Sequence, residues 1–275
     1  MVSSASAGAT QSCVTGPFAD LAGCNFSGEN LTGVHLRSAN LRSANLTHAD
    51  LNAADLTYAR LNSAQLTGAT LTGANLTGAR LRRADLTGAR LAGAILYQAS
   101  SGGIGGAPAS LPSKWRFVDG YLVGPNAYLE YANLRGANLT DAHLRATNLI
   151  GANLVGAILT GAHLTTAYLI GADLTDAILT NASPSDAWLH SVDLTDANLT
   201  DAYLHRAHLK DANLTGANLT GANLVGARLT GANLSGANLT GATWSNTTCP
   251  DGTNSDDDGG TCANNLSTAK VVVKK

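Results

Sequence analysis

Residues 137–141 read Ala137-Asn138-Leu139-Thr140-Asp141, and this five-letter phrase recurs, with an apolar residue at every fifth position, from Ala127 to Trp244. A shorter copy runs from Ala19 to Gln98. An apolar period of five suits neither regular element: on a helix the Leu would drift round the axis, and in a flat strand it would change face at every repeat. The chain must therefore turn. Within each unit the order Ala, Asn or Asp, Leu, Thr or Ser alternates inward and outward as strand residues do, and the fifth letter, often Gly, suits a corner. Each unit is one side of a polygon whose narrow core takes one large and one small side chain per side. Since the fifth letter is not Gly at Ser38, His48, Tyr58, Arg83, Asp176 and Asp196, some corners are expected to be ordinary turns without positive φ.

The A(D/N)Lxx phrase resembles that of the pentapeptide-repeat proteins, over about three quarters of the chain. Its persistence through dozens of units makes the signal specific. The resemblance implies an all-β fold, a right-handed four-sided parallel β-helix with four pentads per coil, here about ten coils with one loop insertion. For function it implies less: the family includes cytoplasmic quinolone-resistance proteins that imitate DNA before gyrase, and many members of unknown role.

The expected organisation is an N-terminal tail at 1–18, a first repeat block at 19–98, a loop insertion at 99–126, a second block at 127–244, and a C-terminal disulfide loop and tail at 245–275. Centres at every fifth residue from Leu21 to Leu96 make sixteen pentads, and those from Leu129 to Trp244 make twenty-four. Phe26 and Trp244 stand at Leu positions near the two ends, where a bulky ring suits a plug. Pro184 also occupies a centre, and its missing N–H predicts a lost ladder bond. Within the insertion, Trp115, Phe117, Val118, Tyr121 and Leu122 are apolar enough to fold back on the repeat.

Composition fits a thin-cored solenoid: 275 residues hold 30 Gly but only 3 Phe and 3 Trp. The net charge of −2 argues against direct nucleic-acid binding. Residues 129–244 carry nine acidic against five basic residues, whereas a DNA mimic of six coils, about 29 Å long, would want roughly 17 negatives. No apolar run is long enough for a membrane span. The opening Met1-Val2-Ser3-Ser4 lacks a basic or apolar leader and reads as a mature end after signal removal, or as a polar tail.

Four cysteines form two local pairs, Cys13 with Cys24 and Cys249 with Cys262, spaced as end staples and not as a zinc site. Staples of this kind persist in an oxidising compartment, so the expected localisation is secreted, from a bacterium, with free thiols in the cytoplasm as the alternative. Asn254, Asp256 and Asp258 match three positions of a calcium loop whose twelfth residue is Asn265 where Glu is required, a weak metal candidate. His143 and His163 stand one coil apart, as plain exposed imidazoles or as a metal-bridged pair. Nucleophile elbow, HExxH and phosphate-loop motifs are lacking, so no enzyme and no cofactor is expected.

If residues twenty apart stack, three outer columns stand out. Thr140, Thr160, Thr180, Thr200, Thr220 and Thr240 form a ladder like that of an ice-binding surface, though Thr also simply suits strands. Tyr168, Trp188 and His208, flanked by Ile150, Ile170 and His190, form an apolar patch suited to a binding or homodimer surface. Arg60 and Arg80, with Arg42, Arg82 and Arg83 nearby, form a basic column, either solvated or facing an anionic partner. The reading is a non-catalytic, exported solenoid that binds an unknown protein or cell-envelope polymer. A cytoplasmic DNA mimic of gyrase and an ice-binding surface are its alternatives.

Overall fold

The computed structural model describes residues 13–263. The chain divides into two compact units, Met1–Tyr128 and Leu129–Lys275. The calls on the far N-terminal tail, on Asn265 and on the Val271 to Lys275 tail lie outside the described residues.

Both units are built on one rule, which follows from finding a partner for every backbone N–H of a pentad. In the unit around Leu36, the Leu36 N–H donates to Asp55 O of the next coil at 2.8 Å, and the corner Ser38 N–H to Thr57 O at 2.7 Å. The Ala39 N–H closes the turn on Leu36 O at 3.0 Å, and the Asn40 N–H reaches back to Ala19 O at 2.9 Å. The fourth letter remains, and the polar residue before Leu serves it. Thr57 N–H donates to Asp55 Oδ1 at 3.1 Å, and the same bond recurs as Thr77 to Asn75 and Thr140 to Asn138. This Asx turn favours Asn or Asp at that letter, although Arg60, Gln65, Thr70 and His143 show that the coil also forms without it. Parallel bridges follow at twenty-residue intervals, such as Asp20 to Asn40 to Arg60 to Arg80 in the first unit and Asn133 to Asn153 to Asp173 in the second. Four sides therefore make a coil.

Leu and Ala of each unit are buried along the axis, most at 0–2 % exposure. The expectation of ordinary corners is overturned. Ser38, His48, Tyr58, Arg83, Asp176 and Asp196 all have φ between 55° and 59°, and the glycine corners of the repeat lie between 61° and 76°. The cause is the type of turn: Leu O accepts from the Ala N–H three residues on, and the positive φ at the third residue marks the type II form, which the coil uses at these corners whatever the side chain.

In the first unit the ladder outlasts the sequence signal. Ser100, Gly105 and Ser110 bridge to Arg80, Asp85 and Arg90 in the same register, although Ser101 and Gly106 stand at two of the three centres in place of Leu. Ile104, buried, takes an Ala position while Ser101 takes a Leu position, so large and small exchange places and the core stays filled. Strands β1 (Arg116–Val118) and β2 (Tyr121–Val123) then form an antiparallel hairpin. Its turn, Asp119-Gly120, has φ of 47° and 80°, the mirror-image turn that suits hairpin twist. Leu122 and Val123 are buried, and Leu111, Trp115 and Phe117 pack against the repeat core. Ser101 Oγ accepts from the Leu122 N–H at 2.9 Å. The ladder resumes with Tyr128 bridged to Ser100.

Both ends are stapled: Cys13 is bonded to Cys24, and Cys249 to Cys262. Cys24 occupies a small core position beside buried Phe26. At the other end Trp244 is buried under a cap holding a 3₁₀ turn, Ser255–Asp258, with Ser255 Oγ donating to Trp244 O at 2.8 Å.

Candidate functional site

The second unit presents its aromatic column at positions where the repeat normally carries Asn or Asp. Asn148, Tyr168, Trp188, His208 and Arg228 form one run of parallel bridges. Asn148 Oδ1 still accepts from the Ile150 N–H at 3.1 Å, but an aromatic residue has no such oxygen, so Tyr168, Trp188 and His208 each forgo the Asx bond. What the column gains is stacking. The Tyr168 and Trp188 rings lie 6.4 Å apart and 11° from parallel, and Trp188 and His208 lie 4.5 Å apart and 3° from parallel. His190 leans on both Trp188 and His208 at 5.7 Å. Tyr168 and Trp188 remain 41 % and 39 % exposed, while Ile150 and Ile170 are half-buried alongside.

Rings stacked on each other along a column spend their faces within the column and leave their edges outward. This arrangement offers an apolar strip with an indole N–H and two imidazoles, suited to a protein surface. Burial first, then Arg228 and His190, hold the His208 imidazole below the ordinary histidine range, with Asp186 pulling the other way. The shift favours the neutral form of the ring next to the tryptophan.

The other sequence candidates fall as follows. His143 and His163 stack at 4.9 Å, a pair of rings among described residues that hold no cluster of three or more metal-ligating side chains. Asn254 caps the 3₁₀ turn by accepting from the Asp256 N–H at 3.0 Å, and Asp256 Oδ1 accepts from the Asn246 N–H at 2.8 Å. Two of the three calcium candidates thus serve the cap. In the threonine column, Thr200, Thr220 and Thr240 donate their hydroxyls to Asn198, Asn218 and Asn238 at 2.6–2.7 Å, and Thr200 Oγ1 also accepts from Asn218 Nδ2 at 3.0 Å. Arg60 and Arg80 are bridged neighbours, with Arg42, Arg82 and Arg83 exposed about them. Among the described residues no helix is long and apolar enough to cross a membrane.

Sequence reasoning missed the Asx turns and the corner pairs. The Asp186 carboxylate meets Arg206 Nε at 3.2 Å, from one corner to the corner one coil on. The signal was available: those two residues stand twenty apart at the fifth letter.

The family model for pentapeptide repeats matches eight stretches, which together cover residues 19–100 and 126–246. Among solved structures the chain is similar to HetL, a pentapeptide repeat protein involved in heterocyst differentiation regulation from the cyanobacterium Nostoc sp. strain PCC 7120. That match has 31 % identity over 86 % of this chain and 91 % of that one, with a TM-score of 0.36. It is also similar to Rfr23 from the cyanobacterium Cyanothece 51142, at 45 % identity over 29 % of this chain and 58 % of that one, TM-score 0.24. QnrB1, a plasmid-mediated fluoroquinolone resistance protein, matches at 16 % identity over 69 % of this chain and 74 % of that one, TM-score 0.35. No curated protein sequence matches. Pentapeptide-repeat proteins are right-handed quadrilateral β-helices and generally non-catalytic scaffolds. With its phrase matched over well over half its length and its ladder closing every twenty residues, the chain belongs to the pentapeptide-repeat family.

Proposed function

We propose that this protein is an exported, non-catalytic scaffold that binds a protein partner through the Tyr168, Trp188 and His208 column, with a second copy of the chain as the partner to test first. One observation carries the reading: Tyr168, Trp188 and His208 follow one another in a single column with their rings stacked, and the tyrosine and tryptophan stay exposed. Aromatic anchors flanked by aliphatics are the usual centre of a binding energy hot spot. Two formed disulfides support an oxidising, extracytoplasmic compartment.

Sedimentation velocity of the intact protein and of Trp188→Ala tests the surface. A dimer that dissociates at least about tenfold more readily in the variant is expected, with the melting curve unchanged. A monomer at every concentration sinks self-pairing, and any partner held equally by the variant sinks the column. Mass spectrometry of native protein, alkylated before and after reduction, tests the compartment. All four cysteines should resist alkylation until reduced; four thiols alkylated at once would place the protein in the cytosol.

A further inference from the structure

We propose that one face of the first unit binds a linear acidic polysaccharide carrying one carboxylate or sulfate per sugar. The face consists of the sides at 39–42, 59–62 and 79–82, whose outward letters are Asn40 and Arg42, Arg60 and Asn62, and Arg80 and Arg82. Arg83 stands at the following corner. All five arginines are exposed.

Three observations show that these charges are not spent inside the protein. The ion pairs of Arg206 with Asp186 and Lys210 with Asp211 lie in the second unit and engage none of these arginines. The acids of the first repeat block sit elsewhere: Glu29, Asp50, Asp55 and Asp85 belong to the other three sides, and Asp20, lowest in the Asn40 column, accepts from Asn40 Nδ2 at 2.8 Å. Finally, Asn62 Oδ1, in the same column as Arg42 and Arg82, is buried without a hydrogen-bond partner, so neither guanidinium turns down to it. At Arg60 and Arg80 the chain also forgoes its Asx bond in two successive coils, as it does under the aromatic column.

The geometry selects the ligand. Coils rise by the strand spacing of about 4.8 Å, so Arg60 and Arg80 stand one interval apart and Arg42 and Arg82 two. An extended chain of acidic sugars repeats its charge at each pyranose ring, a comparable step, and guanidinium forks pair with carboxylate and sulfate oxygens. The three sides themselves carry no aromatic residue on which bases could stack, but exposed rings stand close by, Tyr58 at the corner before Arg60 and Tyr128 two bridges beyond Arg80 in the same column, so single-stranded DNA is the competing ligand in the test. Duplex DNA is disfavoured because a flat side offers no helix or ribbon to enter a groove.

Calorimetric titration of the intact, oxidised protein with polygalacturonate oligomers and with heparin oligosaccharides, at low ionic strength, tests this. Binding is expected to one or both, weakening steeply with added salt, with neutral dextran inert. Because heparin carries uronate carboxylates as well as sulfates, binding of polygalacturonate shows that carboxylates suffice, and binding of heparin with polygalacturonate inert shows that sulfate is needed. The combined Arg60→Ala, Arg80→Ala and Arg82→Ala variant should lose about tenfold or more in affinity, since it removes adjacent charges from one contact. Arg90→Ala, an exposed arginine on another side, should stay within about twofold. A melting curve confirms that the variants fold. No binding to either polymer, an equal loss in the Arg90 variant, or tighter binding of single-stranded DNA would each overturn the proposal.

Discussion

A side chain other than glycine in the left-handed region costs on the order of 1 kcal/mol, yet this chain accepts that cost at corner after corner. What it gains is visible at Tyr131, whose ring lies over the Gly151 corner one coil on. A Cβ at Gly151 would sit 2.5 Å from that ring, whereas one at Gly156 would meet nothing within 4 Å. Gly156→Ala should therefore cost about 1 kcal/mol from φ alone, and Gly151→Ala about 1 kcal/mol more. Adding Tyr131→Ala should abolish the difference, and equal costs in the two single variants would refute this account. His208 makes a second residue-scale case. Its folded pKa is depressed, so its stabilising share is fully present above the unfolded value of about 6.5 and is lost as pH falls from there through the lower folded value. The unfolding midpoint should fall between pH 7.5 and 5, a window set by the unfolded value, and His208→Gln should flatten that slope. Asp55 and Asp85, held low first by the hydroxyls of Thr57 and Thr87, weaken the fold only below about pH 4. The corners were misread in the sequence because glycine was taken as the marker of positive φ, when the coil keeps its corner residue left-handed whether or not that residue is glycine.

At the scale of one side of the coil, Pro184 shows what the phrase tolerates. It replaces a Leu, lacks the N–H that would donate to Tyr203 O, and breaks the bridge series at Ser183. Ser185 Oγ donates to Tyr203 O at 3.0 Å in its stead. Below the smaller ring lies a small apolar cavity lined by leucines that include Leu164 and Leu204. Pro184→Leu should fill it and restore the ladder, raising stability by about 1–2 kcal/mol in a thermal or denaturant melt. A lower midpoint would mean that the proline is relieving strain and not leaving a gap. The lost bond was legible from proline chemistry, but the hydroxyl that replaces it was not, since Ser185 is an ordinary letter of the repeat. Asp119-Gly120 was a legible hairpin cue that the Gly-rich context obscured. The continued coil through Ser110 was hidden because Ile104 and Ser101 swap large for small, and a search for Leu centres cannot see that.

For each unit as a whole, the period of five was enough to read the core, since Leu and Ala alone fill it. Which surface binds was not legible in the same way, because every outer letter is compatible with the coil and selection among them leaves no trace in the period. The spacing of Tyr128 from Ser100 draws out a further point. Twenty-eight residues separate them where twenty would do, and the excess eight are looped into the hairpin so that the next side still lands in phase. The chain thus behaves as an indexed thread, in which local chemistry is blind to phase and only the outer columns keep count. Excising residues 213–232 should leave Asn233 following Ala212 in an unbroken phrase, with every surviving column aligned and one thread fewer. Excising only 213–217 should fold equally well yet carry everything downstream round by a quarter turn. Length and surface pattern can therefore be edited independently, the first in steps of twenty residues and the second in steps of five.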